Sequence, residues 1–103
     1  LIVLGHQRCG AVNAACSLVK SGKTAPGSIQ TIIDELKPAI EATPRGSMTD
    51  ADYADAVSKV SAKMVAKNML EQSEILRKAV AAHTLKVTSA YYHLDTGKVS
   101  LLT

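Results

Sequence analysis

Four apolar residues, Leu1-Ile2-Val3-Leu4, run unbroken into Gly5, and a helical pattern starts a few residues later at Gly10. An apolar run without alternation marks a strand buried on both faces, as in a parallel sheet. The stretch Gly10-Ala11-Val12-Asn13-Ala14-Ala15-Cys16-Ser17-Leu18-Val19-Lys20 is good helix sequence, with Lys20 in its last turn and Ser21-Gly22 to end it. The predicted unit is strand, tight turn, helix, with His6, Gln7, Arg8 and Cys9 on the turn. Such a turn lies at the C-terminal end of a strand, where α/β proteins place their ligands.

The rest of the chain reads as helices and a terminal hairpin. Thr24–Gly27 is a loop, and Ser28 can cap a second helix, in which Ile29, Ile32, Ile33, Leu36 and Ile40 share one face. Pro38 falls inside that pattern and is expected to kink or end it. Thr43–Ser47 is a loop. From Asp50 to about Ala82 the pattern is helical again, with Thr49 as cap and Tyr53, Val57, Val60, Met64, Ile75, Leu76 and Val80 as apolar markers. That length exceeds one ordinary helix, so two are expected, with the break within Asn68–Ser73. Leu85–Tyr92 reads as a strand, Asp95-Thr96-Gly97-Lys98 as a turn, and Val99–Leu102 as a returning strand. No internal repeat or low-complexity segment is present.

One parallel strand at the front and a hairpin at the back make a poor sheet, because a buried strand needs partners on both edges. The expectation is therefore one partial domain over residues 1–103, cut from a larger one. Leu1–Leu4 should then form an unpaired edge or be covered by another chain.

Composition removes several function classes. The formal charge is only +3, from 12 basic and 9 acidic residues, and no aromatic residue is interleaved with a basic cluster, so nucleic acid is not an expected partner. No apolar run approaches the roughly 20 residues of a membrane span. The chain opens without a basic lead-in, so no secretory leader is read, and it has no initiator Met, so a preceding segment is expected to be missing. The compartment is left open, with the cytoplasm as the default expectation. Cys9 and Cys16 do not make a disulfide framework: on one helix they would be about 10 Å apart. With three Tyr and neither Phe nor Trp, the core must come from Ala, Val, Leu and Ile.

The chemistry lies in His6-x-x-Cys9. An imidazole and a thiolate together suit zinc. A cysteine at a helix N-terminus is favoured as the thiolate that a metal needs. Gly10 lets the backbone approach closely, and its N–H could face an oxygen anion. Catalytic zinc usually takes three protein ligands, and this stretch supplies two. His83 and His93 are the candidates for a third. The bland readings are a helix-end histidine bonding a carbonyl for His83 and a strand-end residue for His93. Without a metal, Cys9 could be a redox or nucleophilic thiol with His6 as its base. No second cysteine stands at C-x-x-C spacing, which argues against thioredoxin-like chemistry. Cys16 reads as a core residue.

Leu1-Ile2-Val3-Leu4-Gly5-His6-Gln7-Arg8-Cys9-Gly10-Ala11-Val12 resembles the second zinc-ligand motif of the β-carbonic anhydrases, an apolar strand followed by G-H-x-x-C-G. Pro26-Gly27-Ser28-Ile29 and the helix up to Lys37-Pro38-Ala39 resemble the family's next segment. Ser73-Glu74-Ile75-Leu76 resembles its S-x-I-L helix, and Ala90-Tyr91-Tyr92-His93-Leu94-Asp95-Thr96-Gly97-Lys98-Val99 its A-Y-Y-D-L-x-T-G-x-V hairpin. The matches run in order over essentially the whole chain. Ser89, His93 and His83 depart from the family's usual Gly, Asp and Gly. The family's first motif, C-x-D-x-R, with another zinc cysteine and an Asp–Arg pair, is absent, as are its N-A-G-N stretch and N-terminal arm helix.

The resemblance implies an α/β fold with a mostly parallel β-sheet flanked by helices, here incomplete and with a C-terminal β-hairpin. It implies a zinc-dependent lyase that hydrates carbon dioxide reversibly to bicarbonate, with zinc-bound hydroxide as nucleophile; the three-histidine carbonic anhydrases are the standard case of that effect. His6 and Cys9 are the implied zinc ligands, and the Gly10 backbone N–H the implied substrate contact. No catalytic residue can be carried over, because the Asp–Arg pair has no counterpart. Gln7 and Arg8 occupy variable positions and read as solvent or interface residues. The implied partners are the small-molecule substrate, a homodimer or higher homo-oligomer, and the N-terminal half as a separate chain. The chain by itself is expected to be impaired. Carbon disulfide or carbonyl sulfide hydrolysis on the same scaffold stays open, as does a non-catalytic remnant or interaction module.

Overall fold

In the computed structural model, which describes residues 1–102, the apolar run forms strand β1, Ile2–His6. Alternate side chains of a strand point to opposite faces, and here Val3 and Gly5 are half-buried while Ile2, Leu4 and His6 are exposed. Four helices follow, α1 (Gly10–Ser21), α2 (Ile29–Ala42), α3 (Asp50–Gln72) and α4 (Glu74–Ala81), and then strands β2 (Thr88–Tyr92) and β3 (Val99–Leu101).

Local chemistry sets most boundaries. Gly22 takes φ 68° at the end of α1, and its N–H and that of Lys23 donate to the Val19 and Leu18 carbonyls. Thr49 caps α3 by accepting from the Asp52 N–H at 3.2 Å, and Asp50 and Asp52 add favourable charge to that first turn. Ser73 ends α3 and caps α4 by accepting from the Leu76 N–H at 3.2 Å. The Arg77 guanidinium donates to the Leu70 and Glu71 carbonyls left free at that break. Ser28 precedes α2, but its side chain makes no capping bond. Nor does α2 end at Pro38: it continues to Ala42.

The sheet corrects the expected fold class. Among the described residues it has only three short strands in the order β1-β2-β3, with β1 and β2 parallel and β2 and β3 antiparallel. It is an open, mixed sheet in a mostly helical chain, not a mostly parallel sheet flanked by helices; α3 alone, at 23 residues, is longer than the three strands together. The reason is connectivity. A single long crossover through four helices yields one parallel pair, and the tight turn at Asp95–Lys98 can only return an antiparallel strand. Among the described residues, α3 is the only helix that packs on the sheet, lying against β1 and β2. The helices therefore form a layer on one side, and Ile2, Leu4, Val99 and Leu101 stay exposed. β1 is an edge strand, as expected. Pairing also explains the late start of β2, because Thr88 lies opposite Ile2, the first residue of β1.

The core lies between α1, α2 and α3. Val12, Ala15, Ile33, Ala39, Ile40, Tyr53, Ala54 and Val57 are buried there, with Cys16 packed against them. Its alanines let the three helices approach closely, which suits a chain with few aromatic residues. The Tyr53 hydroxyl donates its proton between the Ile40 and Thr43 carbonyls, each at 3.0 Å, and so ties α3 to the end of α2.

Candidate metal-binding turn

His6 is the last residue of β1 and Cys9 caps α1, so two residues, Gln7 and Arg8, join the proposed ligands. The turn is pinned at each end. The Gln7 N–H donates to the Tyr92 carbonyl at 2.9 Å, extending the parallel pairing of β1 with β2. The Asn13 N–H donates to the Cys9 carbonyl at 3.0 Å and closes the first turn of α1. Arg8 between them has φ 54°, the left-handed region that few residues other than glycine adopt.

The His6 ring has one nitrogen engaged. Nδ1 lies 3.0 Å from the Gln7 carbonyl oxygen, an acceptor, so the tautomer with hydrogen on Nδ1 donates there. That tautomer leaves the Nε2 lone pair for a ligand, the usual arrangement when a backbone carbonyl orients a metal-binding histidine. The Cys9 side chain makes no capping bond, and the thiol is not in a disulfide. A cavity of about 200 Å³ opens beside both, lined by Gly5, His6, Cys9, Val12, Ser58 and further apolar residues. An imidazole nitrogen and a cysteine sulfur are a fitting part of a zinc donor set, and two donors fall short of the three that catalytic zinc needs.

The candidates for a third donor are elsewhere. His93 Nε2 is 3.0 Å from the Ser100 hydroxyl, and its ring meets Tyr91 edge-on at 5.1 Å. His83 follows α4, where its N–H donates to the Val80 carbonyl. Among the described residues no three of His, Cys, Asp and Glu converge on a metal-sized site. Gly10, the first residue of α1, lines a larger cleft of about 740 Å³ along that helix, where Lys20, Arg45 and Asp50 also stand. Cys16 is half-buried, and burial pushes its thiol pKa up, which fits its core reading.

Asp55, which spacing along the chain had no way to pick out, faces the turn from α3. Its Oδ1 accepts the Arg8 N–H at 2.9 Å, and its Oδ2 is 3.2 Å from the Arg8 guanidinium. Arg8 is thus paired rather than free in solvent. Asp55 also stands beside the buried Tyr91, whose hydroxyl pKa is pushed up to about 12, first by burial and then by the Asp55 carboxylate. The Lys59 ammonium lies 4.8 Å over the Tyr91 ring.

The family model described as carbonic anhydrase matches residues 1–99. The carbonic anhydrase of Mycolicibacterium smegmatis is 28% identical over 103 residues, which cover 98% of this chain and 48% of that protein. Carbonic anhydrase 2 of Mycobacterium tuberculosis is 26% identical, covering 98% and 47%. The chain thus spans about half the length of these curated relatives. Among solved structures, the Coccomyxa β-carbonic anhydrase in complex with acetazolamide superposes with a TM-score of 0.78 at 27% identity, covering 98% of this chain and 45% of that one. A tetrameric β-carbonic anhydrase of Sordaria macrospora superposes with a TM-score of 0.79 at 18% identity, covering 98% and 50%.

Proposed function

The chain belongs to the carbonic anhydrase family, and from that premise we propose that His6 and Cys9 are two ligands of a zinc site serving the reversible hydration of carbon dioxide to bicarbonate. The observation that carries this reading is the turn itself. It presents an imidazole with Nδ1 held by a backbone carbonyl and a thiol at a helix N-terminus, both beside one small cavity. Zinc, when bound, supplies Lewis acidity that makes water a nucleophile near neutral pH.

The chain's own residues would do three things. His6 would offer Nε2 while Gln7 holds its ring, and Cys9 would offer sulfur. Gly10 would lend its backbone N–H to an oxygen of the substrate or product. A further protein donor would come from outside residues 1–103, from a C-x-D-x-R-type segment of the same protein or of a separate chain. A homo-oligomer is part of the same proposal, supported by the tetrameric state of the Sordaria relative. By the same donor count the chain alone is impaired. Among the described residues no helix is long and apolar enough to cross a membrane.

The shortfall in donors also favours one second reading, a non-catalytic scaffold that keeps the turn without the reaction. Carbon dioxide hydration by stopped flow, with zinc content measured on the same samples, separates the two. The enzyme reading expects activity that rises with bound zinc, and rises again on adding a polypeptide that carries C-x-D-x-R. Zinc-independent activity, or neither zinc nor activity with that polypeptide present, would overturn it. Running carbonyl sulfide and carbon disulfide beside carbon dioxide reads out the substrate.

A further inference from the structure

We infer that Asp55 is a positioning residue for the turn that carries His6 and Cys9, acting by holding Arg8 in its left-handed conformation. Its consequence for metal binding rests on the zinc reading above; its consequence for the turn does not.

The conformations of His6 and Cys9 follow from β1 and α1, whose pairing and first helical turn hold them. Arg8 belongs to neither element, and its φ of 54° is disfavoured for a residue with a Cβ. Something outside the turn must make that conformation the preferred one. Asp55 does so at two points of one residue, with one oxygen on the backbone N–H and the other near the guanidinium. An exposed ion pair between long side chains would constrain little. Here the backbone bond fixes the peptide itself, and the Asp55 side chain is only 16% exposed. Asp55 is in turn set by the second turn of α3 and by Tyr91, which is 2% exposed on the central strand. The carboxylate therefore references the turn to the helix and strand beneath it. Both of its oxygens are engaged by Arg8, so its part is to support the turn rather than to add a donor to it. Partners that orient metal ligands from behind typically change affinity by roughly ten- to a hundredfold when removed.

The test compares the full chain with Asp55→Ala, Asp55→Asn and the double variant Asp55→Ala with Arg8→Gly. Circular dichroism establishes that each is folded. Amide hydrogen exchange by NMR reads the turn without metal, and titration with cobalt(II) alone, followed through its thiolate charge-transfer absorption, reads the ligands. Expected are exchange of the Arg8 amide at least about tenfold faster in Asp55→Ala and cobalt(II) affinity lower by roughly ten- to a hundredfold. Asp55→Asn, which keeps an acceptor, falls between. Arg8→Gly in the Asp55→Ala background restores much of the affinity, because glycine takes the left-handed conformation without a tether. Unchanged Arg8 exchange in folded Asp55→Ala overturns the inference, as does a double variant no better than Asp55→Ala. If no form binds cobalt(II) even with a polypeptide carrying C-x-D-x-R added, the zinc reading fails instead, and the amide exchange then decides the role of Asp55.

Discussion

Gly5 lies directly against Ser58: a Cβ at Gly5 would sit 3.2 Å from the Ser58 carbonyl oxygen and 3.5 Å from the Ala62 Cβ. Strand β1 meets helix α3 at this point, one residue before His6. The partner atom is helical backbone and cannot swing aside as a flexible side chain would.

Gly5→Ala is therefore expected to push β1 away from α3. Overpacking of this kind costs about 1–3 kcal/mol, partly offset by the lower chain entropy of alanine when unfolded. The expected net loss is about 1–2 kcal/mol, read as a lower midpoint in urea or heat. Because His6 follows directly, the same variant is expected to bind cobalt(II) more weakly.

Tyr53 allows a contrasting test, because it is remote from the turn. Its hydroxyl serves the Ile40 and Thr43 carbonyls, and the residue is buried. Tyr53→Phe keeps the ring and removes the hydroxyl from both carbonyls, of which Ile40's keeps the Thr43 N–H, at a cost of about 1–3 kcal/mol. Stability should fall while metal affinity of the folded protein stays unchanged. A parallel fall in metal affinity would mean that the helical core and the turn are coupled more tightly than the structure indicates.

Tyr91 predicts an alkaline limit. Its folded-state pKa of about 12 lies above the ordinary value of 10, so the folded protein holds the proton more tightly than the unfolded chain. The contribution is fully present below pH 10 and is lost as pH rises from 10 toward 12, at up to about 1.4 kcal/mol per pH unit. Denaturation midpoints measured across that window should fall more steeply for the unsubstituted chain than for Tyr91→Phe. Equal slopes would contradict this.

How much of this was legible in the residues depended on how local each cause was. The Thr49 cap acts within three residues, so the start of α3 could be placed from the chain, whereas the break before α4 could be bounded only to Asn68–Ser73 and the fold puts it at Ser73, which caps α4. The turn between β1 and α1 was equally local. The helix runs on past Pro38 because its neighbours outweigh it: Ile33, Ala39 and Ile40 bury their side chains on both sides of it, and Pro38 and Asp34, whose carbonyl loses its donor, both face water. The sheet class was carried over from the resemblance, whereas strand count and direction depend on what this chain alone pairs. Asp55 is 47 residues from Arg8, and only the folded contact of α3 with the end of β1 brings them together.

The central claim is that His6 and Cys9 hold zinc, and zinc K-edge X-ray absorption of the metal-loaded protein tests it most directly. The expected spectrum contains a sulfur donor at about 2.3 Å and an imidazole nitrogen at about 2.0–2.1 Å. The sulfur contribution should fall in Cys9→Ser and the imidazole contribution in His6→Ala, with zinc content reduced in both. Zinc content and a spectrum unchanged by either substitution would contradict the account.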